Sequence, residues 1–250
     1  MIAALKIVAI VQARVASTRL PAKVLLDLGG KTALERCLAR VARVPGISHV
    51  VVATTTNPED DLIVRLAARI GVPCSRGSES DVLSRYIQAA RAHRAEAVLR
   101  CTSDCPLIDP AVVGAVVRTF LEQTPDFASN TLRRCYPRGQ DAELASMAAL
   151  EQADREATST PHREHVMPYL YENRARFRCL DAVPDDAPDL SRDRWTLDTI
   201  EDYQFLATVY DELGLGAGEA SMADVLALLE KRPELAAINA RVSQKTTPLP

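Results

Sequence analysis

The chain has 250 residues, a formal net charge of −3, and ordinary shares of hydrophobic (47%) and charged (25%) residues, which fits a compact enzyme-sized chain with one main domain. That charge disfavours general nucleic-acid binding, which needs a basic face, so any nucleotide partner is expected to be small. No stretch approaches the roughly 20 apolar residues of a membrane span, and the first residues lack a charged leader region and a cleavage site, so a cytoplasmic location is expected.

The first strand is expected near 5–12, where Leu5-Lys6-Ile7-Val8-Ala9-Ile10-Val11 forms a near-continuous apolar run suited to burial on both faces of a sheet. It leads directly into Gln12-Ala13-Arg14-Val15-Ala16-Ser17-Thr18-Arg19-Leu20-Pro21-Ala22-Lys23, which carries three cations and no acid. Such a loop leaves the sheet at its carboxyl edge, where open α/β sheets bind ligands. Arg14, Arg19 and Lys23 there can hold a triphosphate by charge-assisted hydrogen bonds. Taken alone, the loop also reads as a solvated basic turn.

Helices are expected near 32–43, 58–70, 79–93 and 110–123, alternating with strands near 48–54, 72–75, 96–101 and 126–130. This βαβ rhythm predicts a mostly parallel sheet flanked by helices. Thr32 with Glu35 and Thr199 with Asp202 read as capping boxes, and Asn57-Pro58 as an N-cap followed by a first-turn proline. Prolines and dense charge at 131–192 suggest a small inserted lobe, which could carry an acceptor site or dimer contact or be a decorated surface connection. Regular character resumes at Arg194-Trp195-Thr196-Leu197-Asp198 and a helix near 200–213, within a single domain over 1–241. Residues 242–250 are expected to be a disordered tail. The six cysteines are scattered and read as reduced core residues, with neither zinc-knuckle spacing nor a disulfide framework.

Asp104 and Asp198 each close a strand-like segment, which would aim them at the same edge as the basic loop. Carboxylates so placed suit magnesium, which takes one or two protein carboxylates and leaves its other positions to water and phosphate. Helix capping is the competing role, and Asp109 and Thr199 are the better capping candidates. No P-loop, G-x-G-x-x-G or serine nucleophile elbow accompanies these positions, which argues against ATPase, dehydrogenase and hydrolase classes.

These residues also carry a resemblance. The 12–23 loop, followed by Leu28-Gly29-Gly30-Lys31, resembles the signature of CMP-Kdo and CMP-acylneuraminate synthetases. Arg76-Gly77-Ser78, Asp81-Val82-Leu83-Ser84-Arg85-Tyr86, Thr102-Ser103-Asp104-Cys105-Pro106-Leu107-Ile108-Asp109-Pro110 and Arg163-Glu164-His165-Val166 are closer to the spore-coat polysaccharide cytidylyltransferase branch, over about 1–213. The resemblance implies a nucleotide-sugar-transferase-type, Rossmann-like α/β fold, a homodimer, and activation of a sugar acid as its CMP derivative by CTP and Mg2+ for polysaccharide or surface-glycan synthesis. It further implies triphosphate contacts from Arg14, Ser17, Arg19 and Lys23. Asp104 and Asp198 would hold the metal, and Arg76, Asp81 and Arg85 would form part of the nucleotide pocket. Capping competes with base recognition at Asp81. Arg14, Lys23, Asp104 and Asp198 are the expected catalytic set.

In the 131–192 segment Asp141 and Glu143 can bond acceptor hydroxyls, Arg163 can clamp an acceptor carboxylate bidentately, and His165 joins them as an acceptor-site candidate. His162 and His165 at helical spacing read better as a hydrogen-bond network than as a metal site. Two rivals stand beside this reading: a metal-dependent glycosyltransferase-like enzyme that uses a nucleotide-sugar, and a non-catalytic nucleotide-binding homologue.

Overall fold

The computed structural model describes residues 5–216 and 220–244. A seven-stranded sheet runs in the order β3-β2-β1-β4-β6-β5-β7, built from β1 (Ile7–Gln12), β2 (Ile47–Thr55), β3 (Cys74–Gly77), β4 (Ala97–Thr102), β5 (Phe127–Ser129), β6 (Glu143–Ser146) and β7 (Cys179–Asp181). Only β6 runs against its neighbours; β1 pairs in parallel with both β2 and β4. The chain builds outward from β1 through β2 and β3, then returns to β1's other side as β4. The carboxyl ends of β1 and β4 therefore flank the topological switch point where such sheets bind ligands.

Both faces of the central strands are covered, as the unbroken apolar run of β1 requires. Ile7, Ala9 and Val11 pack into one core with α1 (Ala33–Val41), α2 (Asp61–Arg69) and α4 (Pro110–Gln123). Val8 and Ile10 pack into another with α3 (Val82–Ala92), α5 (Met147–Glu156) and α7 (Pro168–Glu172). A third cluster joins Trp195 to α8 (Ile200–Glu212) and α9 (Met222–Lys231).

Local chemistry sets the helix starts. The Thr32 hydroxyl accepts from Glu35 N–H at 3.2 Å while Glu35 accepts from Thr32 N–H at 2.8 Å, a reciprocal box repeated at Thr199 and Asp202. The Asn57 side chain makes no capping bond; Pro58–Asp60 form a short 3-10 turn ahead of α2.

Two expectations change. Residues 131–192 are not a lobe beside the sheet, because they supply β6 and β7 to it and α5, α6 (Thr160–His165) and α7 to its face. Residues 194–198 are not a strand of the sheet: Arg194 makes an isolated bridge with Arg138 and the rest is irregular. Of the expected tail, Gln244 accepts a bond from Arg194 at 2.5 Å, while 245–250 lie outside the described residues. No described helix is long and apolar enough to cross a membrane.

Candidate active site

The basic loop is pinned at both ends. Ala13 N–H donates to Ala53 O at 3.1 Å, Val15 N–H to Asp60 Oδ1 at 2.7 Å, and Ala22 N–H back to Val15 O at 3.0 Å. Asp60 is buried and its other oxygen accepts from Thr55 N–H at 3.1 Å, so this carboxylate fastens the loop to the end of β2. Closing the loop puts Ala22 in the left-handed region, φ 54°, and turns Lys23 inward.

Lys23 then meets both acids. Its Nζ donates to Asp104 Oδ2 at 2.6 Å and to Asp198 Oδ1 at 2.7 Å. Arg19 reaches Asp198 Oδ2 at 2.9 Å, and Arg14 pairs with Glu79 at 3.0 Å on the exposed rim. Burial alone would raise the Asp104 carboxyl, but the Lys23 charge and hydrogen bonds from Lys23 and Thr102 hold it down at about 2. Burial opposes the Lys23 charge, and the two carboxylates outweigh it and raise its pKa.

Asp198 arrives by an irregular route. Leu197 N–H donates to Asp104 O at 2.8 Å and the Thr196 hydroxyl to the same oxygen at 3.1 Å, so one acid's backbone places the other's. Gly139, at φ +107°, lets the chain pass behind this segment, since a Cβ there would stand 2.7 Å from Trp195 O.

These groups line a cavity of about 300 Å³ that includes Arg14, Ser17, Arg19, Lys23, Arg85 and both aspartates. Arg85 is 3% exposed, yet among the described residues its side chain makes a single hydrogen bond, NH1 to Ser78 O at 2.6 Å, and its Nε has no partner. Burial and the charge of Arg14 lower its pKa. A buried guanidinium without a carboxylate is costly unless something anionic or carbonyl-rich joins it.

Three expected site residues are committed elsewhere. Arg76 donates to Asp61 at 2.6 Å and to the carbonyls of Thr55 and Asn57, outside the cavity. Asp81 caps α3, accepting from Ser84 N–H at 3.0 Å, and takes a bidentate pair from Arg163 at 2.9 and 2.6 Å. Arg163 also bonds Asp154 at 2.8 Å, so its fork holds α3, α5 and α6 together and is not open to an acceptor carboxylate.

The other acceptor candidates line a second cavity of about 750 Å³, with Arg134 and Arg174. Asp141 receives both Arg134 terminal nitrogens at 2.8 and 2.9 Å. Glu143 of β6 faces Arg100 of β4 across the antiparallel ladder and pairs with it; burial raises the Glu143 carboxyl, against the pull of Arg100. His165 lines both cavities, while His162 bonds Glu172 at 2.6 Å. Asp60, Glu79, Arg134 and Arg194 were missed from sequence. Asp60 and Glu79 act on the distant residues Val15 and Arg14, while Arg134 and Arg194 reach the nearby Asp141 and Asp198 across irregular segments whose course no helix or strand spacing sets.

The donor set suits magnesium. Two carboxylates converge on one cation-sized point, already held by an ammonium, and this ion needs no larger protein cage. Among the described residues no group of three or more His, Cys, Asp or Glu side chains is placed to hold a metal; at this point Asp104 and Asp198 would be the two protein ligands.

The family model for cytidylyltransferases matches residues 8–213. The chain is 28% identical to the spore coat polysaccharide biosynthesis protein SpsF of Bacillus subtilis (strain 168), over 91% of this chain and 95% of that protein. It is 28% identical to a 3-deoxy-manno-octulosonate cytidylyltransferase of Solibacter usitatus (strain Ellin6076), over 67% of this chain and 71% of that one. A solved cytidylyltransferase structure from Leptospira borgpetersenii serovar Hardjo-bovis matches with a TM-score of 0.87 at 33% identity, covering 98% of this chain and 99% of that chain. The family match takes in the switch-point strands, the basic loop and both acidic positions: the chain belongs to the cytidylyltransferase family and is a nucleotidyltransferase.

Proposed function

We propose that the protein uses CTP to activate a sugar acid as its CMP derivative, releasing pyrophosphate, in the synthesis of a polysaccharide or surface glycan. The observation that carries this reading is the single ammonium of Lys23 between Asp104 and Asp198 at a cavity lined by Arg14, Arg19 and Arg85. Cations for a polyphosphate and paired carboxylates for a magnesium ion thus meet at one point. The family and the octulosonate enzyme's named activity support the nucleotide, and SpsF's named part in polysaccharide biosynthesis supports the glycan setting.

In this reaction an acceptor hydroxyl oxygen bonds to the α-phosphorus of CTP, the bond from that phosphorus to the oxygen bridging it to the β-phosphate breaks to release pyrophosphate, and the hydroxyl proton passes to solvent water. Catalysis is positioning and charge neutralisation. Arg14, Arg19 and Lys23 would bind the triphosphate and hold the charge that builds on pyrophosphate. Arg85 would contact the nucleotide from the cavity wall, and the 750 Å³ cavity beside His165 would seat the acceptor. Asp104 and Asp198 would hold a magnesium ion, whose positive charge would offset that of the triphosphate.

The test is transfer of label from α-phosphate-labelled CTP across a panel of sugar acids and neutral sugars, with pyrophosphate measured in parallel. Labelled CMP-sugar acid and equimolar pyrophosphate support the proposal. Transfer of sugar from a nucleotide-sugar, with no release from CTP, would replace it by the glycosyltransferase-like reading.

A further inference from the structure

We infer that Arg194 positions Asp198, and that Asn239 and Gln244, near the carboxyl terminus, fix Arg194 in turn. The inference rests on the proposed role of Asp198 as a metal ligand. Asp198 carries three cationic partners. Lys23 takes Oδ1, while Arg19 and Arg194 share Oδ2 at 2.9 and 2.7 Å. Lys23 and Arg19 belong to the loop that would engage a polyphosphate. Arg194 does not, and its remaining donors are already spent.

The rest of its fork lies on Asp202, Nε at 2.8 Å and NH2 at 3.0 Å. Asp202 is fully buried and also accepts from the backbone N–H of Asp198 at 2.9 Å and of Thr199 at 3.0 Å. The same carboxylate therefore holds the Asp198 backbone and, through Arg194, its side chain. Asn239 closes the cage, with Nδ2 donating to Arg194 O at 2.8 Å and to Asp202 Oδ1 at 2.9 Å, and Gln244 accepts from Arg194 NH1 at 2.5 Å. Every guanidinium nitrogen of Arg194 is bonded, so its rotamer is determined from all sides. When Lys23 and Arg19 turn to phosphate, Arg194 keeps one oxygen of Asp198 oriented and charge-balanced, leaving the other for the cation.

Asn239 and Gln244 lie outside the family match, which ends at residue 213. The part of the chain beyond α9 thus reaches the active site through one arginine. Partners behind a metal ligand typically change metal affinity about 10–100-fold when removed.

The test measures Mn2+ binding by electron paramagnetic resonance, with a non-hydrolysable CTP analogue bound, in the 250-residue wild type, Arg194→Lys, Asn239→Ala and Gln244→Ala. Metal-free affinity for the analogue and thermal midpoint are measured alongside. The expected result is Mn2+ affinity weakened about 10–100-fold in Arg194→Lys and by a smaller factor in Asn239→Ala and Gln244→Ala, with metal-free nucleotide affinity unchanged. Gln244→Ala removes one contact near the chain end, so it remains informative if Arg194→Lys does not fold. Wild-type Mn2+ affinity in all folded variants would overturn the inference alone. A wild type that binds the analogue but no Mn2+ would overturn the metal-site reading and this inference with it.

Discussion

Asp104 and Asp198 share one ammonium, with Lys23 Nζ 2.6 Å from the first and 2.7 Å from the second. Lys23 thus stands where the proposed cation would bind, and the two compete for the same oxygens until a triphosphate draws the lysine away. Lys23→Met is expected to bind Mn2+ more tightly than wild type without nucleotide, yet to lose about 10²–10³ in kcat, the usual cost of one donor to developing charge. Titration by electron paramagnetic resonance and steady-state kinetics check the two halves separately; weaker Mn2+ binding by the variant contradicts this arrangement.

The same pair has a pH signature. The Asp104 carboxyl is lowered from 3.8 to about 2, so its stabilisation is complete above the unfolded value and is lost as pH falls from 3.8 towards 2. Lys23 is raised above 10.5, so its share is present below that value and is lost as pH rises through the higher folded one. The stability difference between wild type and Lys23→Met, from urea unfolding, should be flat from pH 5 to 9 and shrink at both extremes.

Arg85 separates function from stability. Its guanidinium is buried with an orphaned Nε and no described carboxylate partner. Arg85→Leu is expected to weaken CTP binding about tenfold or more, the effect of losing one charged hydrogen bond, while leaving the thermal midpoint unchanged or higher. Calorimetric titration and thermal unfolding read the two effects; a large loss of midpoint with intact CTP affinity would make Arg85 purely structural.

Arg163 should behave in the opposite way. It fastens Asp81 and Asp154, so Arg163→Ala is expected to cost about 1–3 kcal/mol of stability and to leave the acceptor KM unchanged. A raised acceptor KM at unchanged stability would restore the carboxylate-clamp role expected from sequence.

Three histidines govern the acid side of the neutral range. Burial lowers His49, His93 and His165 below 6.5, with the His93 charge adding to the effect on His49. Folding therefore favours their neutral forms, and the associated stability, full above 6.5, is lost as pH falls through the folded values. His49 and His93 share one hydrogen bond at 3.1 Å. Replacing both with glutamine should flatten part of the decline in unfolding free energy between about pH 7 and 5.

The βαβ half was legible because strands buried on both faces are continuous apolar runs and because helix starts are set by residues three apart, as at Thr32 and Glu35. That Lys23 and Asp104 would come together was legible because the segments that follow the parallel strands β1 and β4 leave one edge of the sheet; Asp198 joins them without a strand of its own. β6 and β7 were not legible: they are short, and the charge of Glu143 in β6 is answered by Arg100 across the ladder, a partner 43 residues away. The pairing of Arg163 was not legible for a related reason, since its partner Asp81 lies far away in the chain. The route of residues 194–198 depends on the Asp104 carbonyl and on Gly139, neither of which is local to them.

The most direct test of the central claim is calorimetric titration of CTP, UTP, ATP and GTP, each with Mg2+ and with chelator, into wild type and Asp104→Ala. Tight, magnesium-dependent binding of CTP alone, with the magnesium dependence lost in Asp104→Ala, is the result this site predicts. Equal binding of all four nucleotides, or CTP binding indifferent to Mg2+ and to Asp104, would contradict a cytidine-specific, metal-assisted transfer at this cavity.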